Sequence, residues 1–314
     1  MYIIVTENWY TGISRSQHST SSLALHDSTL LERLLFRVAR KWVSGTTIND
    51  ALCVARNSNK REISAILNFL GEDSTNNKSV ERTVNEYILI LELINSEEID
   101  GSISVKPTQV GLKIGYDECL RNLRVISKKA ASLGKFMWID IESFQYVEST
   151  LSIYLDLFKD NSSTGVALQS YLRRSASDLL HLIENGANVR LVKGAYKQPE
   201  ENAYQSMTEI NSSFSRLTRM LFEDENRKHI FAIATHDPNL IDYAIALSEE
   251  FGTDKMQLEF QLLMGIHNEL KDTLVKRKFK TCEYIPYGSQ WLPYSIRRIR
   301  ERKRNILLLA RSIF

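Results

Sequence analysis

From about residue 60 onward the chain repeats one rhythm: a short β-branched or aromatic run, then a longer stretch whose apolar residues recur every three or four positions. The runs fall at 63–69, 102–106, 136–141, 165–169, 188–192, 230–235, 257–261 and 282–286. Between them, 80–96 carries Val84, Tyr87, Ile88, Leu91 and Ile94 on one helical stripe, and 117–133 and 239–251 follow the same plan. Gly134, Gly186 and Gly252 stand where helices should stop, and Asp237-Pro238-Asn239 opens one with a capping side chain and a proline in the first turn. Strands that alternate with helices pair in parallel. Eight such units predict an α/β fold of one kind, a closed (β/α)8 TIM-type barrel with a packed interior and its chemistry at the C-terminal strand ends.

Residues 1–50 break the rhythm and are read as an N-terminal arm ahead of a barrel spanning 51–314. Within the arm, 30–43 has apolar positions 30, 31, 34, 35, 38 and 42, an amphipathic helix that buries its stripe on the barrel or, alternatively, on a membrane or partner. A hydrophobic share of 43% and a charged share of 25% supply an ordinary core and surface. The net charge of +2 carries no global footprint for nucleic acid, so anion binding has to be local. Cys53, Cys119 and Cys282 are odd in number and far apart, which argues against a disulfide framework and reads them as small buried hydrophobes in a reducing compartment. No stretch approaches the ~18 apolar residues of a spanning helix, and the apolar start is too short for a signal segment. The chain is read as cytoplasmic.

If the barrel closes, its strand ends converge on one mouth, and nearly every end is polar. Strand two ends in Lys106; strand three carries Asp140 and Glu142; strand four ends in Gln169; strand five carries Arg190 and Lys193, then Gly194-Ala195-Tyr196. Strand six ends in Thr235-His236-Asp237, strand seven bears Glu259 and Gln261, and strand eight holds Tyr284. Arg190 and Lys193 are three apart and face opposite ways unless the strand ends or bulges near Val192. A basic cluster beside Gly-Ala and Thr-His suits a phosphate-bearing ligand, because glycine lets backbone amides approach oxygens while Arg and Lys supply charge. A metal at His236 would need Asp140, Glu142 and Glu259 as partners, and the same basic cluster repels a cation.

The stretch YIPYGSQWLPYSIRRIRE at 284–301 closes the sequence pattern. Tyr294, Arg297, Arg298 and Glu301 share one helical face, where two guanidinium forks beside a carboxylate would form a receptor for a carboxylate ligand or, alternatively, a solvated basic face. The basic block and apolar tail beyond it pack as a last barrel helix or lie on a membrane surface.

Taken in order, LGED (70–73), SVKPTQVGL (104–112), WIDIE (138–142), ALQSYLRRS (167–175), VRLVKGAY (189–196), ATHD (234–237), EFQLLMG (259–265) and the closing stretch resemble the proline dehydrogenase family over residues 30–313. The resemblance implies FAD across the barrel mouth, lined by Asp140, Gln169, Arg190, Lys193, Gly194, Ala195, Thr235 and His236. It implies a proline pocket made by Lys106, Tyr284, Arg297 and Arg298, with Tyr196, Leu262 and Tyr294 as walls and Glu301 orienting the arginines. The implied reaction takes a hydride from C5 of L-proline to flavin N5, giving 1-pyrroline-5-carboxylate. A quinone as electron acceptor, a peripheral membrane contact and a separate pyrroline-5-carboxylate dehydrogenase go with it. A barrel acting on hydroxyproline or another N-alkyl amino acid, and a flavin-free carboxylate-binding barrel, are the alternatives. Two residues depart from the family pattern: Asp237 stands where Asn is common, and Lys197 where some members have an aromatic.

Overall fold

The computed structural model describes residues 35–71, 74–224, 230–255 and 257–301, apart from the side chains of 297 and 299–301. Eight strands, β1 (Ser64–Phe69), β2 (Gly101–Val105), β3 (Met137–Ile139), β4 (Thr164–Gln169), β5 (Asn188–Val192), β6 (Phe231–Ala234), β7 (Leu258–Leu263) and β8 (Lys280–Tyr287), close a parallel barrel in sequence order. Nine α-helices are bounded within the described residues. They are α1 (Ile48–Asn59), α2 (Asn77–Ser96), α3 (Tyr116–Ser132), α4 (Val147–Asp160), α5 (Ser175–Glu184), α6 (Met207–Glu223), α7 (Pro238–Glu250), α8 (Asn268–Lys276) and α9 (Trp291–Glu301). All eight strands expected from the sequence are present, with ends shifted by up to two residues.

Register decides which side chains face the axis, since paired residues in neighbouring strands point the same way. Ile66 lies beside Ser102 and Tyr284, Ser104 beside Trp138, and Ala167 beside Arg190. Arg190 then lies beside Ala232, Ala232 beside Glu259, Gln261 beside Cys282, and Leu263 beside Tyr284. Ile66, Trp138, Ala232 and Cys282 pack together with Tyr284 as the inner core. The opposite face, with Leu67, Ile103, Ile139, Val189, Leu191, Ile233 and Phe260, fills the shell against the helices. Gly165 is required by that inner layer: a Cβ there would lie 2.5 Å from the Trp138 ring.

The helices use the expected stripes, except that Ile88 of α2 is only half-buried and Ile90 is buried in the core. α2 buries Val80, Val84, Tyr87, Leu91 and Ile94, and α6 starts with a capping box between Ser206 and Glu209. The sequence pattern singles out no helix at α1, which straddles the expected boundary at residue 50; it packs against β8 and β1 as part of the helical shell. Its apolar residues Ala51, Leu52 and Ala55 are buried, whereas Cys53 on the same helix is exposed, contrary to its reading as a buried hydrophobe.

α9 sits at the rim of the mouth. Trp291 and Tyr294 pack with Leu70, just past β1, and with Val38, Ala39, Trp42 and Val43. The stripe expected over 30–43 is therefore buried at its C-terminal part, and its positions 30, 31 and 34 lie outside the described residues. Trp42 Nε1 donates to Ser295 Oγ at 3.1 Å, and Ser44 donates its amide and hydroxyl to the carbonyl of Pro286. Gly265 (φ 69°) lets the β7–α8 turn meet this segment, because a Cβ there would fall 1.6 Å from the Lys41 carbonyl oxygen. No helix among the described residues is long and apolar enough to cross a membrane.

On the outer face of β8, Glu283 is buried in an ion pair with Lys271 of α8 and accepts a 2.6 Å hydrogen bond from Ser58 of α1. Lys271 Nζ also donates to the Leu263 carbonyl at 2.9 Å and to Asn268 Oδ1 at 3.2 Å.

Candidate active site

Asp140, one residue beyond β3, is the hub of the mouth. Its Oδ1 accepts from Ser104 Oγ at 2.7 Å and from Arg190 Nη2; its Oδ2 accepts from Tyr284 Oη at 2.7 Å and from Lys106 Nζ. These donors come from β2, β5, β8 and the residue after β2, so barrel closure itself brings them together. Burial alone would push the Asp140 carboxyl upward, but Lys106 and Arg190 outweigh it and hold the group well below the usual carboxylate range. Lys106 is also buried, which disfavours its charge, yet Asp140 dominates and raises its ammonium well above the ordinary lysine value. Burial, reinforced by Asp140, raises the Tyr284 phenol well above its ordinary value, so it stays protonated and donates.

Below this hub a polar chain runs along the axis. Arg190 Nη1 donates to Gln261 Oε1 at 3.3 Å, Gln261 Nε2 donates to Glu259 Oε1 at 2.6 Å, and Glu259 Oε2 pairs with Lys280 Nζ at 2.9 Å. The Arg190 guanidinium lies 5.1 Å over the Trp138 ring and 5.8 Å from that of Tyr284. Two walls, one donor network and a carboxylate thus fix the arginine's plane.

The opposite side of the mouth is built by β4, β5 and β6. β5 ends at Val192, and Gly194 turns away with φ 111°, so the chain leaves the strand path just after Lys193. A Cβ on Gly194 would lie 2.1 Å from the Tyr171 ring, so only glycine carries the backbone through here. Gln169 donates to the Glu142 carbonyl at 3.2 Å, and Thr108 donates its amide and hydroxyl to the Glu142 carboxylate. His236 Nε2 accepts the Leu263 amide at 2.8 Å, which places any proton of the neutral ring on Nδ1. Asp237 accepts from Lys193 Nζ at 2.9 Å and from the Asn239 amide at 3.2 Å, which caps α7.

A family model described as proline dehydrogenase matches residues 51–308. The chain belongs to the proline dehydrogenase family. Proline dehydrogenase 1 of Bacillus subtilis (strain 168) is 31% identical over 275 residues, 88% of this chain and 90% of that protein. Proline dehydrogenase of Deinococcus radiodurans is 29% identical over 289 residues, 90% of this chain and 92% of that protein. Among solved structures, proline utilization A from Bdellovibrio bacteriovorus, inactivated by N-propargylglycine, superposes with a TM-score of 0.79 at 22% identity. That match covers 88% of this chain but 34% of the larger protein, so this chain spans about a third of its length.

Against the proline dehydrogenase pattern, the fold brings Lys106, Asp140, Arg190 and Tyr284 into one cluster, with Tyr196 close enough to Lys106 to act on its charge. Tyr294 of α9 is buried, and the Arg298 guanidinium lies 5.2 Å over its ring. The side chains of Arg297 and Glu301 lie outside the described residues. Leu262 needs correction as a pocket wall: it registers with Glu283 on the outer face and is buried among shell residues. Leu263 is the residue that shares the inner face with Tyr284. Strand parity carries that signal, since Glu259 and Gln261 facing the axis put 263 there too. Ser104, two residues before Lys106, is a further mouth residue legible only by the same parity.

Proposed function

We propose that the chain oxidises L-proline to 1-pyrroline-5-carboxylate at this mouth with FAD as cofactor. The observation that carries the reading is the convergence of Lys106, Arg190 and Tyr284 on Asp140, beneath a rim helix that bears Arg297 and Arg298. The residues fit a flavin nucleotide. Gln169 is buried at the end of β4 with no hydrogen-bond partner for its Oε1, an acceptor left for a donor of the cofactor. Gln169, Arg190, Lys193, Gly194, Ala195, Thr235 and His236 would hold the cofactor, with Lys193 at the phosphate side. When bound there, FAD supplies the acceptor for the hydride that leaves C5.

The chain's own residues bind and orient. Lys106, Arg297 and Arg298 hold the proline carboxylate, as charge-assisted donors do best where water is excluded. Tyr196, Leu263 and Tyr294 confine the ring, and Tyr284, its hydroxyl committed to Asp140, closes the side where a 4-hydroxyl would need room and a partner. Loss of hydride from C5 requires the nitrogen lone pair, so the ring amine reacts deprotonated. Electrons then pass to a quinone and the product to a separate dehydrogenase; peripheral contact with a membrane would serve the first of these.

Purified protein should be yellow, and anaerobic L-proline should bleach the flavin band. Protein that cannot take up FAD would end the reading, and bleaching by trans-4-hydroxyproline in preference to proline would transfer it to that substrate. Reoxidation by a soluble quinone analogue checks the acceptor. Arg298→Ala should raise the proline KM about 30-fold, an effect on the order of 2 kcal/mol, with FAD still bound.

A further inference from the structure

Lys193 and Asp237 stand at the ends of adjacent strands on the side of the mouth assigned above to phosphate. Their ion pair is 2.9 Å long, and each side chain is 22% exposed. Asp237 serves two elements at once. Its Oδ1 accepts the Asn239 amide and starts α7, while its Oδ2 takes Lys193 and, at 3.4 Å, Asn211 Nδ2. Burial pushes this carboxyl upward, but the hydrogen bond and charge of Lys193 and the helix amides hold it below its ordinary value. It is therefore ionised at neutral pH and faces the same space as the lysine.

We propose that Asp237 sets the affinity of the mouth for its flavin nucleotide by neutralising Lys193, so that a phosphate meets an ion pair and not a free cation. This rests on the flavin reading. A carboxylate within about 5 Å of a phosphate, at the effective dielectric of a protein surface, opposes binding by an amount that corresponds to roughly tenfold or more in Kd. The loss is built into the fold, because the helix needs a capping acceptor at position 237 and aspartate supplies it with a charge attached. Asparagine and serine cap a helix about as well without the charge.

The test compares apoprotein of the natural sequence with Asp237→Asn and Asp237→Ser, titrated with FAD and with riboflavin and followed by flavin fluorescence. Both variants should bind FAD about tenfold more tightly at low ionic strength, should lose most of that gain near 1 M salt, and should leave riboflavin, which has no phosphate, unchanged. An unchanged or weaker FAD Kd in both variants overturns the proposal, as does tightening shared equally by riboflavin. Failure of all three proteins to bind FAD under any condition would instead sink the flavin reading, and this inference with it. Lys193→Met should weaken FAD binding, and a neutral effect there would also count against the pair.

Discussion

Glu283 and Tyr284 are neighbours in β8, and the pleat sends them into two different buried charge clusters. On the outer wall, Glu283 meets one cation, Lys271, and the remaining hydrogen-bonding capacity of both is filled by Ser58, Asn268 and a backbone carbonyl. In the mouth, Tyr284 and three other donors crowd one carboxylate, and two of them are cations. The consequence is a different balance of burial and charge in the two clusters. Burial lowers Lys271 against the pull of Glu283, whereas at Asp140 two cations overcome burial and keep the carboxylate charged. The outer cluster is closed and structural; the inner one holds a surplus of positive charge, two cations on one carboxylate.

Breaking the inner cluster should cost most. Asp140→Asn leaves Lys106 and Arg190 facing each other without a counter-charge, and a loss of about 4–5 kcal/mol in urea unfolding is expected, with proline turnover below detection. Next, Lys271→Met strands one buried carboxylate and should cost about 3 kcal/mol while the proline KM of the surviving folded protein stays within about twofold. Adding Glu283→Gln should recover much of that loss; if it does not, the outer pair is not the self-contained unit described. Tyr284→Phe removes one hydrogen bond to a charged group, about 2 kcal/mol, and should raise the KM and relax rejection of 4-hydroxyproline.

A pH series sharpens the contrast. The Asp140 carboxyl is depressed in the fold, so its contribution is complete above the unfolded value of ~3.9 and is lost as pH falls toward the folded one. Asp140→Asn should flatten that acid limb. Lys271 is depressed too, so the unfolded chain holds more protons in the alkaline range and stability from this group rises with pH up to about 10.4. Lys271→Met should abolish the rise. The smallest effect is expected at Trp42→Phe, which loses the hydrogen bond to Ser295 for about 1 kcal/mol and loosens α9.

The barrel is legible in the sequence because buried parallel strands are compact β-branched runs, and eight of them in alternation admit few other folds. α1 is missed for a physical reason: it precedes the first strand, so a count of strand-then-helix units passes over it. Its capping box from Thr47 to Asp50 and the spacing of Ile48, Ala51, Leu52 and Ala55 are the marks that could have found it. In the mouth, residue types are readable and partnerships are not. Asp140 as shared acceptor depends on closure across four strands, and Leu262 against Leu263 depends on a parity that apolar runs hide. Lys271, polar and mid-helix, reads as solvated surface until packing shows otherwise.

The file of side chains from Lys280 through Glu259 and Gln261 to Arg190 gives the barrel an electrical length. Lys280 at its lower opening is joined to the arginine of the mouth by three successive polar contacts in a medium that polarises weakly. Grafting this mouth onto another barrel would accordingly require transplanting the column beneath it, since an apolar interior would leave Arg190 without its Gln261 acceptor.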